Sequence, residues 1–293
     1  MKSIVNGVVI SLVLLFLAVS VRAQDYEIRL QRPKTAGQTY HMSVSGSEHN
    51  RMTMDINSKT EQKEAENKAI DFESIVTILE IGKQGAPVKE SHRIVTCERF
   101  ENDSRLALVP PGTVVTAFLA DKKQQFTIEG TEVSPEAKEV LDMVITLDDV
   151  DYSEDEAFGT KERKKIGESW PINMKLAMEE LRSSGMDFTK GDFSGKVTLA
   201  GIGGKDAIPY MILDGEIVVN QLDIPVGPEV YTDKSHGRFT FTAKYPLDHT
   251  MGVLEEISNY AIDATMKNKP EEDYPDMTVH VYAEQTMTKT FTY

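Results

Sequence analysis

Ile75-Val76-Thr77-Ile78-Leu79-Glu80-Ile81, then Gly82-Lys83-Gln84-Gly85, then Val88 through Cys97: this stretch decides the fold class. β-branched residues dominate both arms, and a glycine-bounded turn separates them, which predicts an antiparallel hairpin. Upstream, Tyr40, Met42 and Val44 alternate with polar residues. Met52, Met54 and Ile56 do the same beyond Ser45-Gly46-Ser47, so another hairpin is expected there. Downstream, Pro110-Pro111-Gly112 punctuates, and Val114–Leu119 is expected to pair with Gln125–Ile128 across Asp121-Lys122-Lys123.

Helical periodicity interrupts the strands at three places. Ser134-Pro135-Glu136 supplies a capping serine, a first-turn proline and early negative charge, ahead of Ala137, Val140, Leu141 and Val144 on one face. Asn173–Ser184 is rich in strong helix formers and aligns Met174, Ala177, Met178 and Leu181 before Gly185. A third helix is expected over 252–266, where Val253, Ile257, Tyr260 and Ala261 share a face.

The first residues predict a cleavable secretory signal. Lys2 precedes an apolar run from Ile4 to Val21, and Val21-Arg22-Ala23 offers a cleavage site after Ala23, before the polar Gln24-Asp25. The later sequence has no apolar run long enough for a spanning helix, so no membrane span is expected once the signal is removed. The single cysteine, Cys97, allows no internal disulfide and places no lipid-modifiable cysteine after the apolar run, so the expected product is periplasmic or extracellular and not a lipoprotein. Loss of Lys2 and Arg22 leaves 30 basic residues against 47 acidic, a net charge of −17. That balance argues against nucleic acid as a partner, and against adhesion to anionic lipid headgroups.

The remaining chain is expected as a first β-rich half, 24–160, and a second, 161–293. Thr35-Ala36-Gly37-Gln38-Thr39-Tyr40 parallels Lys165-Ile166-Gly167-Glu168-Ser169-Trp170, and Ile75-Val76-Thr77-Ile78 parallels Lys196-Val197-Thr198-Leu199. Thr116-Ala117 likewise parallels Thr242-Ala243. Matches kept in order predict an internal duplication. The fold class expected is therefore a β-rich α+β protein of two related curved antiparallel sheets, each packed with one or two amphipathic helices. The acidic run Asp148–Glu156 reads as a solvated linker between the halves, and 278–293 as a strand closing the second sheet.

No reactive motif emerges. Asp149, Asp151, Ser153 and Asp155 alternate like the start of a calcium loop, but Glu154 replaces the glycine and Thr160 the closing glutamate. Gly201-Ile202-Gly203-Gly204-Lys205-Asp206 lacks the Ser or Thr of a phosphate loop and reads as a hairpin turn. The six histidines show no zinc-protease spacing, and no nucleophile elbow occurs. No catalytic residue, metal ligand or cofactor is nominated.

The motifs Gly37-Gln38-Thr39-Tyr40 and Gly167-Glu168-Ser169-Trp170, with long antiparallel strands and a returning helix, resemble uncharacterised secreted β-rich bacterial proteins of planctomycete type. In overall pattern the chain also resembles the lipoprotein-carrier (LolA-like) half-barrels. That second resemblance implies a sheet wrapped around helices and sheltering an acyl chain. The function expected is an exported, soluble, non-enzymatic cell-envelope protein that binds a lipid or other apolar small molecule. Tyr40, Met42, Trp170, Met174, Met178 and Leu181 are the expected lining, because methionine fills adaptable apolar pockets. The alternative is a structural or protein-interaction module at the cell surface, joined to an envelope protein partner through an edge strand such as 278–293.

Overall fold

The computed structural model describes residues 24–32, 34–56, 59–101, 104–183, 192–204, 208–221, 230–268 and 277–293, with backbone alone for 61–64 and 180–183. The first half contributes β1 (Thr39–Ile56), β2 (Lys59–Ile81), β3 (Pro87–Glu101), β4 (Ser104–Ala107), β5 (Val114–Ala120), β6 (Lys123–Ile128) and β7 (Thr131–Glu132). Helices α1 (Pro135–Val144) and α2 (Glu154–Ala157) follow. Then come β8 (Ser169–Pro171), α3 (Met174–Ser183), β9 (Asp192–Gly203), β10 (Tyr210–Asn220), β11 (Val230–Pro246), β12 (Glu255–Asn268) and β13 (Met277–Thr292).

These strands form one sheet rather than the two expected. Its order is β7-β6-β5-β3-β2-β1-β13-β12-β11-β10-β9-β8, with β4 paired to β3 off this path. β13 is the reason. It pairs antiparallel with β1 from His41↔Thr292 to Ile56↔Met277, and with β12 from Glu255↔Thr290 to Lys267↔Thr278. Both of its hydrogen-bonding edges are occupied, so 278–293 is the centre of the sheet and not an edge offered to a partner. The sheet is open: β7 and β8 end it and do not pair among the described residues.

Two other expectations fail for related reasons. Ser45-Gly46-Ser47 is not a turn, because β1 runs straight through it, with Gly46 opposite Ile70 on one side and Met287 on the other. Residues 255–268 are a strand, not a helix, with Ala264 and Met266 buried on alternate positions. Ile257, Tyr260 and Ile262 suit a strand held between two neighbours, and that context overrides the helical spacing. The hairpin over 75–97, the β5–β6 pair and the first two helices form as the sequence predicts. Ser134 Oγ accepts from the Ala137 amide at 3.2 Å, as a capping serine should.

The turns leading into β1 and β8 match bond for bond. Gly37 N donates to Ile78 O and Ile78 N to Gln38 O, at 2.8 and 3.0 Å; Gly167 N donates to Leu199 O and Leu199 N to Glu168 O, at 2.8 and 3.0 Å. Both glycines hold a left-handed backbone, φ +87° and +89°, which is why glycine recurs there. Thr39 then pairs with Thr77, and Ser169 with Thr198.

Two cores lie on one face of the sheet. The first buries Val44, Phe72, Val76 and Phe126 beneath Val140 and Leu141 of α1. The second buries Trp170, Leu199, Met211 and Leu213 beneath Ala177 and Met178 of α3, and it also takes Ile28 and Leu30 from the N-terminal segment. Each large apolar side chain buried this way contributes about 1.5–3 kcal/mol. The acidic stretch is not a free linker but ties the turn after β2 to the N-terminal segment that enters the second core. Asp149 Oδ1 accepts from Lys83 N at 3.0 Å, Asp151 pairs with Lys83 Nζ at 2.7 Å, Ser153 caps α2, and Asp155 Oδ1 accepts from Leu30 N at 2.6 Å. The four side chains of the calcium-like run are thus each engaged separately.

Candidate functional site

One row across the sheet changes character at its centre. Ala243, Glu256, Lys289 and Val44 are successive register partners on β11, β12, β13 and β1, flanked by Leu213 and Phe72 on the next strands. The four apolar members are almost wholly buried in the two cores. Glu256 and Lys289 therefore point inward from the middle of an otherwise apolar row, where the cores meet. A cavity of about 300 Å³ lies there.

Its walls come from four places. The sheet supplies Tyr40 and Met42 of β1, Glu90 of β3, and Phe291 beside Lys289; Tyr293 follows at the strand's end. The N-terminal segment supplies Arg32 and Lys34, the end of α1 supplies Val144 and Ile145, and the acidic stretch supplies Asp148. Tyr245 closes the side nearest the second core. The Tyr40 ring stands 6.0 Å from Phe291 and 5.6 Å from Tyr293 between centroids, so part of the wall is aromatic.

The charged groups fall into two kinds. Some are fixed: Arg32 is buried, donates through Nη2 to Pro246 O at 2.9 Å and lies 5.4 Å above the Tyr245 ring, while its buried Nε has no partner. Glu90 is also buried and accepts from the Tyr40 hydroxyl at 3.1 Å. Behind it, His92 Nε2 lies 3.2 Å from Glu90 Oε2 but off hydrogen-bonding alignment, and His92 Nδ1 lies 3.2 Å from Ser74 Oγ. The resulting Tyr40–Glu90–His92–Ser74 chain is a polar thread through the first core. Ser74 and His92, at its inner end, are fully buried.

The other kind is not engaged. Among the described residues, the side chains of Lys34, Asp148, Glu256 and Lys289 make neither a hydrogen bond nor an ion pair within 4.0 Å. Two positive and two negative groups thus line the same cavity without contacting each other. Burial pulls the Lys289 ammonium below the usual lysine range, opposed chiefly by Glu256. Burial also raises the Tyr40 and Tyr293 phenols, so both stay protonated. Burial raises the Asp148 carboxyl, opposed by Lys34 and Lys289. A carboxyl that holds its proton more tightly folded than unfolded subtracts stability as pH climbs through the carboxylate range. Asp148→Asn should therefore raise the melting temperature near neutral pH, and the gain should shrink as pH falls toward about 4. Thermal melts of both proteins across that range check it.

Of the lining expected from sequence, the structure places Tyr40 and Met42 in this wall. Trp170 and Met178 are buried in the second core, with Met174 packed against it, away from the cavity. The side chain of Leu181 lies outside the described residues. Sequence reasoning missed Lys289, Glu256 and Glu90. A signal was available for two of them: Lys289 sits between Met287 and Phe291, and Glu90 between Val88 and His92-x-Ile94, charged positions on a period-two apolar face. Cys97 behaves as read, a buried thiol pushed up to about 11 by burial. No group of three or more His, Cys, Asp or Glu among the described residues could hold a metal ion, and no described helix is long and apolar enough to cross a membrane.

No protein family and no curated protein matches the chain. Solved structures similar in part include an outer membrane channel from Pseudomonas putida F1, at 6% identity and a TM-score of 0.17 over 89% of this chain and 100% of that one. The Pseudomonas putida toluene transporter TodX gives 6% identity and a TM-score of 0.13 over 92% of this chain and 99% of that one. Scores this low establish no common fold.

Proposed function

We propose that the chain is an exported, non-enzymatic binding protein of the cell envelope whose site is the cavity where the two cores meet. The observation that carries this reading is the cluster of unengaged charges around that cavity. Buried charges are costly unless paired. Lys34, Asp148, Glu256 and Lys289 are half-buried around one cavity. A fold that gathers four partly desolvated charges and pairs none holds them ready for something that enters, whereas a purely structural core would replace them with apolar residues. The aromatic wall and the volume suit a small molecule. Export rests on the signal-like N-terminus read from sequence. The matched glycine turns and their matched strand partners support descent of the two halves from one duplicated unit, with the site between the copies.

The reading as a surface interaction module lacks its main support, because the strand that would have recruited a partner is already paired on both edges. The site also replaces the wholly apolar pocket that the methionines suggested. Native mass spectrometry of protein recovered from an exporting host tests the proposal. A bound small molecule is expected, lost on denaturation and lost selectively in a Met42→Trp variant that fills the cavity. Protein that is free of ligand, and that binds nothing from a periplasmic extract, would remove it.

A further inference from the structure

We infer that the ligand is a small zwitterion, a molecule carrying both an ammonium and a carboxylate on a compact apolar or aromatic body, such as a free amino acid. This deepens the binding proposal above and rests on it. Lys289 and Lys34 offer two unengaged cations, and the buried Nε of Arg32 is a further donor without an acceptor. Glu256 and Asp148 offer two unengaged carboxylates on the same cavity. A fatty acid would satisfy the cations and leave both half-buried carboxylates beside its own negative head. A simple amine would do the reverse. Only a ligand with both charges gives every group a counter-charge, and charge-assisted hydrogen bonds are about twice as strong as neutral ones. Lys289 and Glu256 are direct cross-strand partners that do not close on each other, so the two ends of one small molecule can be seated between them. Tyr40, Phe291 and Tyr293 then form an aromatic face for its body.

The test is isothermal titration of the full exported chain with four probes: L-phenylalanine, 2-phenylethylamine, 3-phenylpropionate and palmitate. L-phenylalanine is expected to bind, and each analogue lacking one charge to bind at least tenfold more weakly. Lys289→Met is expected to abolish the preference over 2-phenylethylamine, and Glu256→Gln the preference over 3-phenylpropionate. Both substitutions preserve side-chain size, and circular dichroism with a thermal melt verifies that each variant is folded. Palmitate binding with no amino-acid binding would overturn the zwitterion and leave the binding proposal standing. Equal affinity for L-phenylalanine and either half-charged analogue would overturn it too. No binding of any probe, from protein that also carries no ligand out of the cell, would overturn both.

Discussion

Trp170→Ala should cost about 3–5 kcal/mol of stability, the usual range for removing a large buried aromatic. Trp170 is 4% exposed and heads the second core. It stands opposite Val197, and its indole Nε1 donates to Phe158 O at 2.7 Å. It projects from β8 into the core that Ala177 and Met178 of α3 also fill and that Ile28 and Leu30 already occupy, so its removal leaves a cavity. Trp170→Phe keeps most of the ring and loses the hydrogen bond, so it should cost roughly 1–3 kcal/mol. Urea unfolding followed by circular dichroism checks both: the midpoint should fall in that order at unchanged slope. A variant with an unmoved midpoint but no ligand binding would mean that Trp170 serves the ligand and not the core.

The second large effect belongs to the other core. Glu90→Leu should destabilise by about 1–3 kcal/mol, the cost of leaving a buried donor without its acceptor. The leucine is apolar and fits the surroundings, yet it strands the Tyr40 hydroxyl and leaves His92 with only Ser74. The diagnostic is a second substitution. Adding Tyr40→Phe removes the stranded hydroxyl and should restore about 1 kcal/mol or more, a non-additivity that two unrelated sites would not show. Glu90→Gln keeps an acceptor and should fall between wild type and Glu90→Leu. Urea midpoints of the four proteins settle the order.

The sequence disclosed the local structure well and the global arrangement poorly. Ser134-Pro135 marks a helix start because capping chemistry is local, and Gly82–Gly85 marks a turn for the same reason. Whether 278–293 lies at an edge or a centre depends on a partner more than two hundred positions away, His41 with Thr292, and no local rule reports that. The false turn at Ser45-Gly46-Ser47 arose because glycine and serine are turn residues in isolation; with strands on both sides they simply continue the ladder. The third helix failed because 255–268 satisfies both periods, and only neighbouring strands decide between them. The site was half visible. Tyr40 and Met42 follow from the alternation that identifies β1. Glu256 is invisible alone, since a glutamate in a mixed stretch becomes unusual only when Lys289 is set beside it.

The pairing of β1 with β13 also governs how the molecule must assemble. Contacts between the two ends of a chain close the largest loop available, and proteins dominated by such contacts fold slowly. The hairpins β2–β3, β5–β6 and β9–β10 can zip early, whereas the cavity has no far wall until the last strand docks. Refolding should therefore show tryptophan burial in the second core ahead of binding competence. Until that final docking, the open flanks of β1 and β12 are the surfaces on which two unfinished molecules would join each other.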